Sequence, residues 1–263
     1  VCRRYRCAMT MPNAQLLATY PRTRPPLPAA QAAVYEQEYA INRAGRGPLY
    51  RAVRLLESWM HRKIAKEHTT GAILELGAGG LTHLPIEKWC DQYDVVEPAS
   101  KVVQASENFG RLGRYRDSYA GFVNDAFECE LRYSKVFSVA VLEHLTNLPA
   151  VVAASALALT PDGSFQAGIP MEGGAMWGAS WRLTTGVAYR IRTKASYSAL
   201  MRHEHINNAD EILDVIRGFF GDVKVSRFPL SGRHVSMYAY ICARQPRTRV
   251  ARSYLRRVGT SHA

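Results

Sequence analysis

Short apolar runs separated by longer segments of helical spacing dominate the middle of the chain. The runs are Ala72 to Leu76, Tyr93 to Val96, Gly121 to Val123, Lys135 to Val139 and Ser164 to Ile169. Runs this short, bounded by glycine, proline or polar residues, read as buried strands, whereas Leu148 to Leu159 between the last two reads as a helix. Strands alternating with helices predict a parallel sheet with right-handed crossovers. Val223 to Phe228 and Val235 to Ala243, joined through a Pro-Leu-Ser-Gly turn, predict an antiparallel hairpin added to that sheet. Upstream, Val34, Tyr35 and Tyr39 recur near one helical face, and Leu49, Val53, Leu56 and Met60 do so beyond the Gly45 to Pro48 break. The plan is therefore a flexible arm at 1–30, an α/β domain at 31–245 with a helical cap at 31–69 and a lid insertion at 170–205, and a basic tail at 246–263.

Composition adds little to this until the charge is mapped. The 263 residues include 34 Lys and Arg against 22 Asp and Glu, a net charge of +12. Residues 1–30 carry Arg3, Arg4, Arg6, Arg22 and Arg24 without an acid, and residues 246–263 carry Arg247, Arg249, Arg252, Arg256 and Arg257, again without one. The body is thus nearly neutral. That argues against a nucleic-acid enzyme, which presents a basic face on its folded body, and leaves at most a weak contact of the two ends with anionic surfaces. No stretch approaches the ~20 apolar residues of a membrane span, so a cytosolic location is expected. Cys2, Cys7, Cys90, Cys129 and Cys242 are scattered without metal-ligand spacing and read as reduced thiols.

The most informative motif is Ala72-Ile73-Leu74-Glu75-Leu76-Gly77-Ala78-Gly79-Gly80. A buried strand running into Gly-x-Gly lets backbone approach a ligand at the mouth of the next element. Glu75, two residues before the first glycine, disfavours a pyrophosphate and suits a ligand with positive charge, such as an aminoacyl sulfonium. Glu97, with Pro98 at the end of the second apolar run, stands roughly 20 residues on, where a carboxylate can accept from a ribose diol. Asn124-Asp125-Ala126 closes the third apolar run, and a side-chain acceptor there can meet an adenine amino group.

With these residues in this order, the chain resembles the class I S-adenosylmethionine-dependent methyltransferases. Val136-Phe137-Ser138-Val139-Ala140-Val141-Leu142-Glu143-His144-Leu145 and the turn Leu159-Thr160-Pro161-Asp162-Gly163 carry the likeness further. It spans about residues 70–170 closely and the terminal hairpin loosely. The resemblance implies a Rossmann-like, seven-stranded, mostly parallel sheet with an antiparallel last strand. It implies S-adenosyl-L-methionine as cofactor, held by Glu75, Gly77, Ala78, Gly79, Glu97, Pro98, Asp125, Ala126 and Ser138. Leu81 departs from the pattern, standing where many members carry another glycine, and Ser134 replaces the usual acid before the fourth strand.

Methyl transfer to an alcohol needs a base or a metal. The candidate catalytic residues are His144, His205 and Glu143; His144 can equally be a helix-start residue that shapes the pocket floor. His203 and His205 alternate just before a helix that Asn208 caps with Glu211 in the capping-box position, and no carboxylate cluster completes a metal site beside them. Residues 170–197 are the expected substrate wall, with Trp177, Trp181 and Arg182, alongside His203, as acceptor contacts. The two tryptophans, spaced i to i+4, serve either a lid with stacking faces or the packed side of a short helix. The Gly-Ile-Pro-x-Glu-Gly-Gly run and His-Glu-His-Ile-Asn-Asn also resemble methyltransferases of bacterial surface-polysaccharide synthesis. The leading expectation is O-methylation of a sugar or glycan-like hydroxyl. Its rivals are methylation of an aromatic or lipid-like small molecule, and a non-catalytic binding module docked through its basic ends.

Overall fold

The computed structural model describes residues 13–29, 31, 32, 35, 58–183, 186, 189 and 197–260. Most of the predicted helical cap therefore lies outside the described residues; its last part, residues 58–65, is helical. A seven-stranded sheet of order β3-β2-β1-β4-β5-β7-β6 organises the rest. The strands are β1 Ala72–Leu76, β2 Gln92–Val96, β3 Tyr115–Arg116, β4 Tyr133–Val139, β5 Leu159–Pro170, β6 Phe220–Pro229 and β7 Ser236–Pro246. β1 to β5 pair in parallel, and β7 runs antiparallel to both β5 and β6. The order reverses between β1 and β4, and in such sheets the crevice beyond the carboxyl ends at that point is the place for a ligand.

The third predicted strand is wrong. Ser118 accepts from the backbone N–H of Gly121 at 3.1 Å and caps a helix, Tyr119–Glu128, that contains Gly121 to Val123. The strand is the two-residue β3 before it. An apolar triplet at a helix start cannot be told from a short strand by periodicity, and the Ser cap was the deciding signal. Asp125 and Ala126 consequently stand inside a helix rather than at a strand end.

The basic tail is also ordered. Thr248–Thr260 is a helix that buries Val250, Ala251, Tyr254 and Leu255 in the main core while its arginines face outward. Its partner is the Leu148–Ala158 helix, apolar on all sides and buried at ten positions, which requires cover on every side.

The described part of the proline-rich arm, residues 13–29, is docked on the domain rather than flexible as expected. Arg22 reaches the Glu211 carboxylate at 2.7 and 3.0 Å and the Ile206 carbonyl at 2.5 Å, and the Tyr20 hydroxyl donates to Asn207 at 2.7 Å. Arg24 donates to the His144 carbonyl at 3.3 Å and lies 3.6 Å from Glu204. Glu211 also closes the capping box on Asn208 as read from the sequence. Arg22→Ala should therefore lower unfolding stability by about 1–3 kcal/mol, measured by urea denaturation. A change under a few tenths would show that the arm contributes nothing to the fold.

Candidate active site

Two adjacent cavities lie at the switch point. The larger, about 590 Å³, is lined by Gly77, Glu97, Pro98, Tyr119, Val139, Ala140 and Val141 on one side and by Arg24, Tyr35, Glu143, His144, Trp177, Glu204, His205 and Tyr238 on the other. The smaller, about 360 Å³, shares Gly77 and Val139 with it and adds His61, Glu75, Ala78, Gly79, Gly80 and Thr82. Backbone geometry makes this shape. Gly77 has φ +72°, and a Cβ there would meet Val141 Cγ2 at 2.3 Å, so only glycine fits at this shared wall. Ala140, at the carboxyl end of β4, is held at φ +52°, a strained conformation of the kind found at functional sites. Leu81, the departure noted in the sequence, takes φ +61° and is fully buried, so its packing offsets a conformation that suits glycine.

Glu97 and Pro98 line the larger cavity. The Glu97 carboxylate accepts from the N–H of Gly79 at 2.8 Å and of Ala99 at 2.9 Å, which ties the end of β2 to the glycine loop and leaves lone pairs on both oxygens. Glu75 lines the smaller cavity, where the Tyr93 hydroxyl donates to it at 2.5 Å. Burial, opposed by that hydrogen bond and reinforced by Glu97 and Glu87, pushes its carboxyl up to about 8.

Three other predicted cofactor residues lie elsewhere. Asp125 faces Arg116, whose Nε donates to it at 2.7 Å, and lines neither cavity. Ala126 packs in the core, and Ser138 is buried within β4 with its Oγ unpartnered. The displacement of Asp125 and Ala126 follows from reading the third strand one element too late, whereas Ser138 stands in the strand expected of it with its side chain turned into the interior. Asp117, directly after β3, holds the strand-end position assigned to Asp125.

On the other wall of the larger cavity the structure brings together His144, His205, Glu143 and Trp177. The His144 and His205 rings meet edge to face, 4.7 Å between centroids. His144 Nδ1–H donates to the Glu204 carbonyl at 2.8 Å, which places the lone pair of the neutral ring on Nε2. His205 Nδ1 hydrogen-bonds the Glu172 carboxylate. Burial opposes the charged His205 ring, but Glu172, Glu143 and Glu204 together outweigh it and raise its pKa. Burial likewise raises the Glu204 carboxyl, against Arg24 and His205. Trp177 contacts Tyr238 edge to face at 5.6 Å, and Trp181 lies one turn further along the same helix, Ala175–Leu183. Arg182 lines a neighbouring cavity of about 490 Å³ that shares Trp177 and His205. His203 lines none of these cavities: its Nδ1–H donates to the Pro25 carbonyl at 2.7 Å and its ring packs on Tyr35, so it holds the arm.

Glu172, Arg24, Tyr35, Tyr119 and Tyr238 were not singled out as site residues from the sequence. Glu172 sits in the quoted Gly-Gly run, but nothing in its spacing marks a partner 33 residues away. Among the described residues no group of three or more His, Cys, Asp or Glu side chains is disposed to hold a metal ion, and no helix is long and apolar enough to cross a membrane.

No protein-family model matches the sequence, and no curated protein matches it at a significant level. Solved structures do match the fold. A SAM-dependent methyltransferase from Archaeoglobus fulgidus superposes with a TM-score of 0.54 at 12% identity, over 78% of this chain and 98% of that one. An O-methyltransferase family protein from Burkholderia thailandensis gives 0.50 at 15%, over 88% and 66%. The N-methyltransferase NodS from Bradyrhizobium japonicum, in complex with S-adenosyl-L-homocysteine, gives 0.50 at 13%, over 78% and 91%. At these identities the likeness is one of architecture: the chain has the Rossmann-like α/β fold of SAM-dependent methyltransferases.

Proposed function

We propose that the protein is an S-adenosylmethionine-dependent methyltransferase that methylates a hydroxyl, with a sugar or glycan-like acceptor as the leading class. The observation that carries the reading is the pair of adjacent cavities, one built of glycine backbone and Glu75, the other lined by Glu97 and by His205, which Glu172 holds. When bound, the cofactor supplies a methyl group already activated by its sulfonium. Gly77, Ala78 and Gly79 supply the backbone that a ligand can approach closely, and Glu97 offers its remaining lone pairs to a ribose diol. Glu75, whose carboxyl burial pushes up to about 8, would ionise beside the positive charge of an aminoacyl end and so complement it. In this reading Asp125, Ala126 and Ser138 take no part.

A hydroxyl is too weakly acidic to attack unaided, so the chain's main chemical task is to remove its proton. His205 is suited to that. Glu172 holds its Nδ1–H, which leaves the Nε2 lone pair as the base and stabilises the imidazolium that forms. His144 and Glu143 frame the same wall, with His144 positioned by Glu204. The Trp177 and Tyr238 rings offer flat faces to a sugar or other ring. The outward-facing arginines of the terminal helix suit only weak contact with anionic surfaces.

Calorimetric titration with S-adenosylmethionine and S-adenosylhomocysteine tests the donor, and a panel of nucleotide sugars, glycans, phenols and amines tests the acceptor. Binding of both cofactor forms with turnover of a sugar hydroxyl supports the whole reading; turnover of phenols or amines only would remove the sugar assignment. Glu97→Ala should weaken both cofactor forms by about 100-fold, and should also lower the melting temperature, because two backbone donors lose their acceptor. Unchanged affinity would remove the ribose assignment.

A further inference from the structure

A row of buried polar side chains runs from below the sheet to the glycine-loop cavity, and the proposed chemistry does not use it. Lys135 Nζ, with no exposed surface, donates to Glu87 Oε1 at 2.5 Å. His83 Nε2 lies 3.0 Å from the same carboxylate oxygen, and His83 Nδ1 lies 2.8 Å from His61 Nδ1. The two rings sit side by side, 5.1 Å between centroids and 29° apart, so this contact runs in the plane of both. His61 then lines the cavity together with Glu75, Gly77 and Gly79.

The order of donors along this row is forced. A carboxylate only accepts, so His83 Nε2 carries the proton that faces Glu87. Burial lowers the His83 pKa, against the pull of Glu87. Neutral His83 therefore has its lone pair on Nδ1, and the 2.8 Å contact requires His61 to donate from Nδ1. Burial, and then His83, push the His61 imidazole down to about 4, so it too is neutral. Its own lone pair is left on Nε2, which has no partner among the described residues.

We infer that His61 Nε2 accepts a hydrogen bond from the α-ammonium of the cofactor's aminoacyl end, opposite Glu75, with the Lys135–Glu87–His83 row fixing the tautomer that makes it an acceptor. The inference rests on the cofactor reading above. Its chemistry is specific: a neutral acceptor and a carboxylate suit an ammonium, whereas a cofactor carboxylate would want a donor at this place. The row explains why a buried lysine and two neutral imidazoles are kept in one line, where apolar residues would cost less desolvation.

The test compares S-adenosylhomocysteine with 5′-methylthioadenosine, which lacks the aminoacyl group. His61→Ala should weaken the first by about 10- to 100-fold and leave the second unchanged. In parallel, ¹⁵N-histidine NMR of the wild-type protein should show His61 with its proton on Nδ1 and a Nε2 resonance that moves on addition of S-adenosylhomocysteine but not of methylthioadenosine. Equal loss for both ligands, no loss for either, or a proton on Nε2 in the free protein would overturn the assignment while leaving the cofactor reading intact. Failure of the wild-type protein to bind either compound would instead overturn the cofactor reading, and this inference with it.

Discussion

His205→Ala is expected to lower kcat by about 10²- to 10⁴-fold with cofactor affinity unchanged, the range for loss of a general base. The separation between the two quantities matters, because His205 lines the wall of the cavity with His144 and Glu143 and its hydrogen bond goes to Glu172, not to the glycine loop. The pH profile carries the mechanistic content. His205 acts as a base only when neutral, and Glu172, Glu143 and Glu204 raise its pKa above the usual histidine value of 6.5. Activity should thus rise with pH through an apparent pKa above 6.5. Glu172→Gln removes the largest of the raising influences, so the limb should move to lower pH, while the loss of a charge partner for the imidazolium lowers the plateau. A Glu172→Gln profile that superposes on the wild-type one would show that this pair does not set the rate. A His205→Ala variant with full activity would point to His144 as the base.

Legibility from sequence followed the physics of each segment. The strands β1, β2, β4 and the core of β5 were readable because buried parallel strands are continuous apolar runs with sharp ends, and the glycine loop because Gly77 and Gly79 both take positive φ and a Cβ at Gly77 would clash. The hairpin of β6 and β7 was readable from its alternation and its turn. β3 was not, since two residues carry no period, and the error propagated to Asp125 and Ala126. The terminal helix was readable but was masked by its charge: Val250, Ala251, Tyr254 and Leu255 follow helical spacing among the arginines, and arginine count alone suggested a solvated tail. The docked arm was not readable, because proline-rich chain gains order only from partners such as Glu211 and Asn207, some 185 residues away. The same limit hid Glu172. Single residues with chemistry were visible; pairings across the fold were not.

Glu75→Gln is expected to trade ligand affinity for stability, and the trade has a fixed dependence on pH. In the folded protein burial pushes the Glu75 carboxyl up to about 8, against an ordinary value of 4.5, so between these limits the folded state holds a proton that the unfolded state has lost. Stability contributed by this group is fully present below about 4.5 and declines as pH rises toward 8. Glutamine removes the titration, and its carbonyl can still accept from the Tyr93 hydroxyl. Relative to wild type the variant should therefore gain stability steadily from pH 5 to pH 8, the difference growing to roughly 3 kcal/mol by pH 7. A fixed offset from the newly buried amide N–H groups shifts the whole curve without changing this slope. Binding should move the other way: an ammonium beside Glu75 favours loss of its proton, glutamine cannot ionise to complement that charge, and affinity for S-adenosylhomocysteine should fall by about 10- to 100-fold. Thermal melts of both proteins across this pH range, with titrations at pH 7, check both halves. Parallel stability curves would mean that Glu75 is ionised in the folded protein. Steeper stability with unchanged affinity would mean that the burial is real but serves the core, with the aminoacyl end held elsewhere.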